Sequence, residues 1–273
     1  MNTDQSNRII VRLSYLLAIF LVIVSVVGLF FPDTYSKETP NWTAQAVGQD
    51  IFDLFIIVPF LILTAFFIHR KSRTALLLWS GVIFYLIYSF VIYCFAVHFN
   101  RLFIFYCLIL GLSFYFFLYF LMSQLKEPVT DWFDEKVPVR GIGIYLIVIA
   151  CVFYLLWLSG IVPAIIAGTA PENLFEIGLL TNPVHALDLS VVLPGFIIIG
   201  VLLLRKKPLG LLLAPTVLVF MFLMDLTIGG LNIIMRARGL EASYGISVVM
   251  FVLALVSLLL LIKYLRSMKR NLA

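Results

Sequence analysis

Charge is what this chain has least of. Asp, Glu, Lys and Arg together make up 12% of its 273 residues, against roughly a quarter in soluble domains, while hydrophobic residues reach 63%. Such a chain cannot dress a water-facing surface, so a soluble globule is excluded and a polytopic membrane protein remains. Histidine and cysteine are also scarce, with 3 of each. Cys94, Cys107 and Cys151 form no CxxC or metal-binding spacing, and no His-x-x-x-His or Glu-x-x-His pair occurs. Cys94 and Cys107 fall in the outer portions of neighbouring spans, where either a disulfide or two apolar buried thiols fits.

Catalytic signatures are missing too. There is no Walker loop, no Gly-rich dinucleotide turn, no GxSxG elbow and no membrane-protease motif, and Leu158-Ser159-Gly160 lacks the companions of an intramembrane serine protease. The sequence therefore indicates where a site lies without naming its reaction. Asn41-Trp42-Thr43 is formally a glycosylation acceptor, a triplet common by chance.

What is abundant is apolar sequence in long runs. Eight of them, at 9–31, 51–68, 75–97, 102–122, 142–166, 189–204, 209–234 and 246–262, are long enough to cross a hydrocarbon layer that needs about 20 helical residues. The first has a basic leader, but it exceeds a signal-peptide core and no small-residue cleavage pattern follows, so it reads as a retained helix. With both termini cytoplasmic, only Lys37, Arg101, Arg236 and Arg238 fall outside. Clusters such as Arg70-Lys71, Arg205-Lys206-Lys207 and Lys269-Arg270 then lie inside, a strong positive-inside bias. That asymmetry accounts for the net charge of +5 without a nucleic-acid partner, leaves the lipid bilayer as the evident one, and suits a prokaryotic cytoplasmic membrane.

A repeat organises the chain. The tract Asp53-Leu54-Phe55-Ile56-Ile57-Val58-Pro59 recurs as Asp188-Leu189-Ser190-Val191-Val192-Leu193-Pro194, each copy running on into a basic turn. Coincidence of the Asp, the Pro, the turn and the preceding outer loop predicts two four-helix repeats, 1–123 and 141–273, joined by a cytoplasmic linker at 124–140. Four spans per repeat is an even number, so the copies are parallel and related by an axis along the membrane normal, in one all-α membrane domain. Pro59 and Pro194 each remove a backbone donor and are expected to bend their helices.

Ionisable residues inside spans mark function by default. Asp50, Asp53, His98, Arg101, His185, Asp188 and Asp225 all gather toward the outer face, with Asn232 nearby, and form the expected ligand-binding set. A spacing of three puts Asp50 with Asp53, and His185 with Asp188, on single helical faces. From Leu54 to Ile68 only about 22 Å of helix is available, which places both acids near the starts of short spans. There they also serve as caps or partners of the helix dipole. Asp225 lies about three turns from Arg236, with Gly229 and Asn232 on its face, and invites Arg101, Arg236 or a tyrosine as partner. Tyr85, Tyr88, Tyr93, Tyr106, Tyr115 and Tyr119 are candidate pocket lining, with packing and interfacial anchoring as the plainer role.

These residues point to an outward-facing site between the repeats that binds a cation or a small polar ligand. One version is a metal-assisted surface enzyme holding a divalent cation on Asp53, His185 and Asp188, with Asp50 as ligand or acid/base partner and Arg101 for an anionic group. A small secondary transporter with Asp225 as coupling acid is one alternative, and a non-catalytic assembly or sensor subunit is another.

Overall fold

The computed structural model describes residues 3–269; Arg270 of the inner basic cluster lies outside them. Among the described residues the chain is helical without a strand, and eight helices are long and apolar enough to span a membrane. They are α1 (Thr3–Phe30), α2 (Pro40–His69), α3 (Arg73–Ala96), α4 (Phe103–Gln124), α5 (Val139–Ala167), α6 (Pro183–Leu204), α7 (Pro208–Ala237) and α8 (Tyr244–Leu265). The chain is an integral membrane protein.

α3 and α7 form the buried centre, and the other six helices surround them. The two approach closely because the residues at their crossing are small. A Cβ on Gly81 would lie 2.3 Å from Val219 Cβ and 2.8 Å from the Thr216 carbonyl, and Ser80 Oγ bonds Thr216 Oγ1 at 2.7 Å. Close backbone approach with one interhelical hydrogen bond is how helices associate where lipid offers no hydrophobic drive. α1 packs on α2 and α4, while α5 packs on α6. α2 leans its outer half on α7, and the start of α6 touches α3.

Two helices begin earlier than hydropathy suggests. α2 starts at Pro40, where Thr39 Oγ1 caps Trp42 N, and α6 at Pro183, where Asn182 Oδ1 accepts from Val184 N and His185 N. Much of the expected outer loop is therefore helix. The polar residues Asn41, Gln45 and Gln49, spaced at i, i+4 and i+8, made it look like loop; in fact they form one helical face turned inward. Asp50 and Asp53 consequently sit in mid-helix, not in a first turn, and the reading of them as caps is corrected.

The prolines are accommodated without a sharp break. Asp53–Ile57 and Asp188–Val192 are single π-helical turns in which Val58 N donates to the Asp53 carbonyl and Leu193 N to the Asp188 carbonyl. Widening the turn just before Pro59 and Pro194 relieves the clash of a proline ring with the preceding turn. Both helices then end in a tight basic turn, with Lys71 at φ 63° and Lys206 at φ 51°, the positive-φ non-glycine residues of the described chain.

The linker at 124–140 is a packed element rather than a tether. Trp132 and Phe133 are buried, the Phe133 ring lies tilted against that of Tyr264 with centres 5.0 Å apart, Lys269 N donates to the Trp132 carbonyl at 2.8 Å and Asp134 N to that of Ser267 at 2.9 Å. Arg73 lies over the Trp132 ring. The end of the bundle that carries the basic turns is thus plugged.

Candidate functional site

The acids divide into two kinds. Asp50 is fully buried and fully partnered: Tyr35 Oη donates to Oδ2 at 2.8 Å and Tyr93 Oη to Oδ1 at 2.9 Å, while Gly28 of α1 leaves room for the carboxylate. Tyr35, in the outer loop, has its phenol held well above the usual tyrosine range, first by burial and then by Asp50, so it keeps the proton it donates. Asp53 is likewise fully buried, and Gln49 Nε2 gives one hydrogen to Asp53 Oδ1 at 2.9 Å and another to Tyr85 Oη at 2.7 Å. Thr227 Oγ1 gives its proton to the Leu223 carbonyl, so Tyr85 donates to Thr227 in turn, tying α2, α3 and α7 together.

The second kind faces a chamber of about 980 Å³. Asp188, His185 and Asp225 line it, with Asn41, Gln45, Trp42, Tyr88, Trp157 and Asn232, the charged Glu176, Arg236 and Glu241, and an apolar remainder drawn mainly from α5, α7 and α8. Asp188 is satisfied, since Tyr88 Oη donates to Oδ1 at 3.1 Å and Trp157 Nε1 to Oδ2 at 2.9 Å. The same indole lies 4.5 Å from the His185 ring. A recess of about 110 Å³ shares Trp42, Gln45 and Tyr88 with the chamber and reaches Gln49 and Tyr93. Asp50 and Asp53 line neither space; they stand one residue behind the wall, each through a side chain that does.

Asp53 Oδ2 and Asp225 Oδ2 are both buried without a hydrogen-bond partner, and of the two it is Asp225 that faces the chamber. Asp225 is 7% exposed. Neither of the expected cationic partners reaches it: Arg236 donates to the Ala242 carbonyl and lies over Tyr244, and Arg101 lies over Phe31. Asn232, two turns on, lines the same wall and donates to the Ile228 carbonyl.

His98 and Arg101 stand apart from the chamber. His98 clasps Glu38 through its backbone N at 2.7 Å and Nδ1 at 2.9 Å, joining two outer loops. Of the tyrosines, Tyr88 lines the chamber and Tyr93 the recess, Tyr85 and Tyr106 are core, and Tyr115 is largely exposed. Cys94, Cys107 and Cys151 are free thiols. The metal set is not assembled: Asp53 is turned away behind Gln49, and among the described residues no three His, Cys, Asp or Glu gather around one point.

Trp157, which holds both Asp188 and His185, carried no sequence signal beyond being one of 4 tryptophans. Gln45 and Gln49 did carry one, in their helical spacing from Asn41. The chamber has no template to be read against, because no protein-family model matches the chain, and no curated protein and no solved structure matches it.

Proposed function

We propose that this integral membrane protein is an outward-facing binding protein whose chamber takes a small organic cation, with Asp225 as counter-charge. The observation that carries this reading is the buried, partnerless Asp225 Oδ2 on the chamber wall. A carboxyl group kept at membrane depth without a partner is costly, and a cation or strong donor in the chamber relieves that cost. Trp42, Trp157, Tyr88 and Phe153 supply ring faces suited to an ammonium or guanidinium group. An organic cation fits better than a bare metal ion, because a metal needs several converging donor atoms and among the described residues no three His, Cys, Asp or Glu gather around one point.

The outward orientation rests on the positive-inside distribution, which puts both termini and the plugged end in the cytoplasm. The two halves read as parallel copies. Supporting this, the π-turns, the positive-φ lysines and the crossing residues Gly81 and Thr216 all recur at the offset of the Asp-to-Pro tracts. On that reading the copies have diverged, the first keeping its acids internal and the second turning its acids to the chamber. Transport, with Asp225 as coupling acid, is the less favoured reading. It needs a route past Phe196, Phe220, Phe84 and Tyr88, whose rings interlock below the chamber, and past the Ser80–Thr216 crossing.

Thermal unfolding of the purified protein at constant ionic strength, against a series of alkylammonium and guanidinium ions and their neutral isosteres, tests the reading. Cations are expected to raise the Tm by about 5 °C near saturation, with neutral isosteres inactive. Equal responses to both, or none beyond that of sodium, refute it.

A further inference from the structure

Inward of its outer, loop-lined end, the chamber is walled by packed helices except between α5 and α8. In the first half of the chain α1 closes against α4, with Phe20 edge-on to Phe105 at 5.7 Å. In the second half the corresponding pair, α5 and α8, make no comparable contact. One hydrogen bond joins them, between Tyr145 Oη and Ser257 Oγ at 3.0 Å, one turn of α5 inward of Ile149 on the chamber wall. Above it the two helices part, and the chamber is bordered by Phe153 and Leu156 on α5 and by Ile246 and Met250 on α8. Leu156 and Ile246 are also exposed on the outer surface of the bundle. Between α5 and α8 the chamber therefore opens to the lipid, while exposed Glu176, Arg236, Glu241 and Ser243 line its outer, loop-bearing end, and the acid facing it lies at hydrocarbon depth, about three helical turns below the outer end of α7.

An unpaired carboxyl reached through an apolar gap selects for both charge and chain. We infer that the ligand is a single-chain amphiphile with an ammonium head, which enters from the outer leaflet between α5 and α8 and sets its head against Asp225 with its tail in the gap. This rests on the cation reading above and names the ligand's class and route. Water-soluble cations lack the tail that would fill the apolar border, and anionic amphiphiles would bring a second negative charge to Asp225. A flexible side chain, Met250, borders the gap and can adapt to tails of different length.

The test uses the full chain in lipid nanodiscs, with bound mass read by native mass spectrometry for two probes, propylammonium and dodecylammonium, with dodecanol as the uncharged control. Dodecylammonium is expected to be retained at a membrane concentration at least about 100-fold below that needed for propylammonium, because each buried methylene adds to its hold. Dodecanol is not retained. Ile246→Trp, a surface change that narrows the gap, is expected to weaken dodecylammonium about 10-fold while leaving propylammonium within about 2-fold. Leu156→Trp on the opposite edge gives the same result if the first variant folds poorly. Propylammonium retained with dodecylammonium no better, or a dodecylammonium affinity unmoved by both gap variants, overturns the amphiphile and its route while the cation site stands. Retention of neither amine by a folded protein overturns the cation site as well, and equal retention of dodecanol reduces the chamber to a lipid-filled groove.

Discussion

Alanine in place of Gly28 is expected to cost about 3 kcal/mol or more, read as a shifted unfolding transition in detergent micelles. The added Cβ would fall 1.8 Å from Asp50 Oδ2 and 2.8 Å from Tyr35 Oη. A clash with the tip of a side chain is usually cheap, because the tip moves. Asp50 cannot move without giving up the hydroxyls of Tyr35 and Tyr93, and it has no water to turn to, being fully buried between α1, α2 and α3. The change therefore trades a small volume for a buried carboxylate stripped of its donors. Combining Gly28→Ala with Asp50→Ala separates this from simple helix packing. With the carboxylate gone the alanine should add much less than it does alone, and a fully additive pair would show that the acid is not what Gly28 makes room for.

Asp225→Asn should leave the empty protein as stable as before, or raise its unfolding free energy by about 1 kcal/mol, while abolishing the rise in Tm produced by organic cations. The contrast with Asp50 follows from partners. Asp50 is held by two donors and its loss orphans both, whereas Asp225 Oδ2 has none to orphan. An amide of the same shape removes the buried charge and replaces one acceptor oxygen with an NH2 group. A large loss of stability in the amide variant would mean that Asp225 is structural, and a surviving cation response would mean that the ligand sits elsewhere.

Hydropathy was enough to find the spans, because every one has a run of apolar residues long enough to be unmistakable. It was not enough to find where α2 begins. A helix that faces a polar chamber with Asn41, Gln45 and Gln49 need not be apolar there, and the eye for greasy runs stops at Ile51. That one error made Asp50 and Asp53 look like caps at a membrane surface, when their place is the middle of a long helix.

The candidate site was legible in part for the same reason. Charge in the membrane is rare enough that Asp188, His185 and Asp225 stand out by themselves. Whether a given acid is open or closed depends on which way its helix face turns and on aromatic residues from distant helices. Tyr93 closes Asp50, while Trp157 and Tyr88 close the hydrogen bonds of Asp188 yet leave it on the chamber wall. Nothing in the local sequence around those aromatics distinguishes them from the many others that merely pack. His98 looked the same as the site acids from the sequence, and its true partner, Glu38, lies on a loop that carries no pattern.

The widened turns before Pro59 and Pro194 also fix the angular setting of everything above them. A π-turn holds one more residue than the α-turn it replaces, and one residue of helix is about 100° of rotation and 1.5 Å of rise. Keep every residue of Asp53–Ile57 but wind them as ordinary α-helix, and the extra residue is no longer absorbed within one turn. The outer half of α2 would then stand a quarter-turn out of phase, with Gln49 and Asp50 facing neighbours other than Tyr85 and Tyr93. The extra residue works as the index mark on a dial, and the second copy carries the same mark at Asp188–Val192. Aligning relatives of this chain by hydropathy alone would miss a slip there, since Leu, Ile and Val fill either setting equally well.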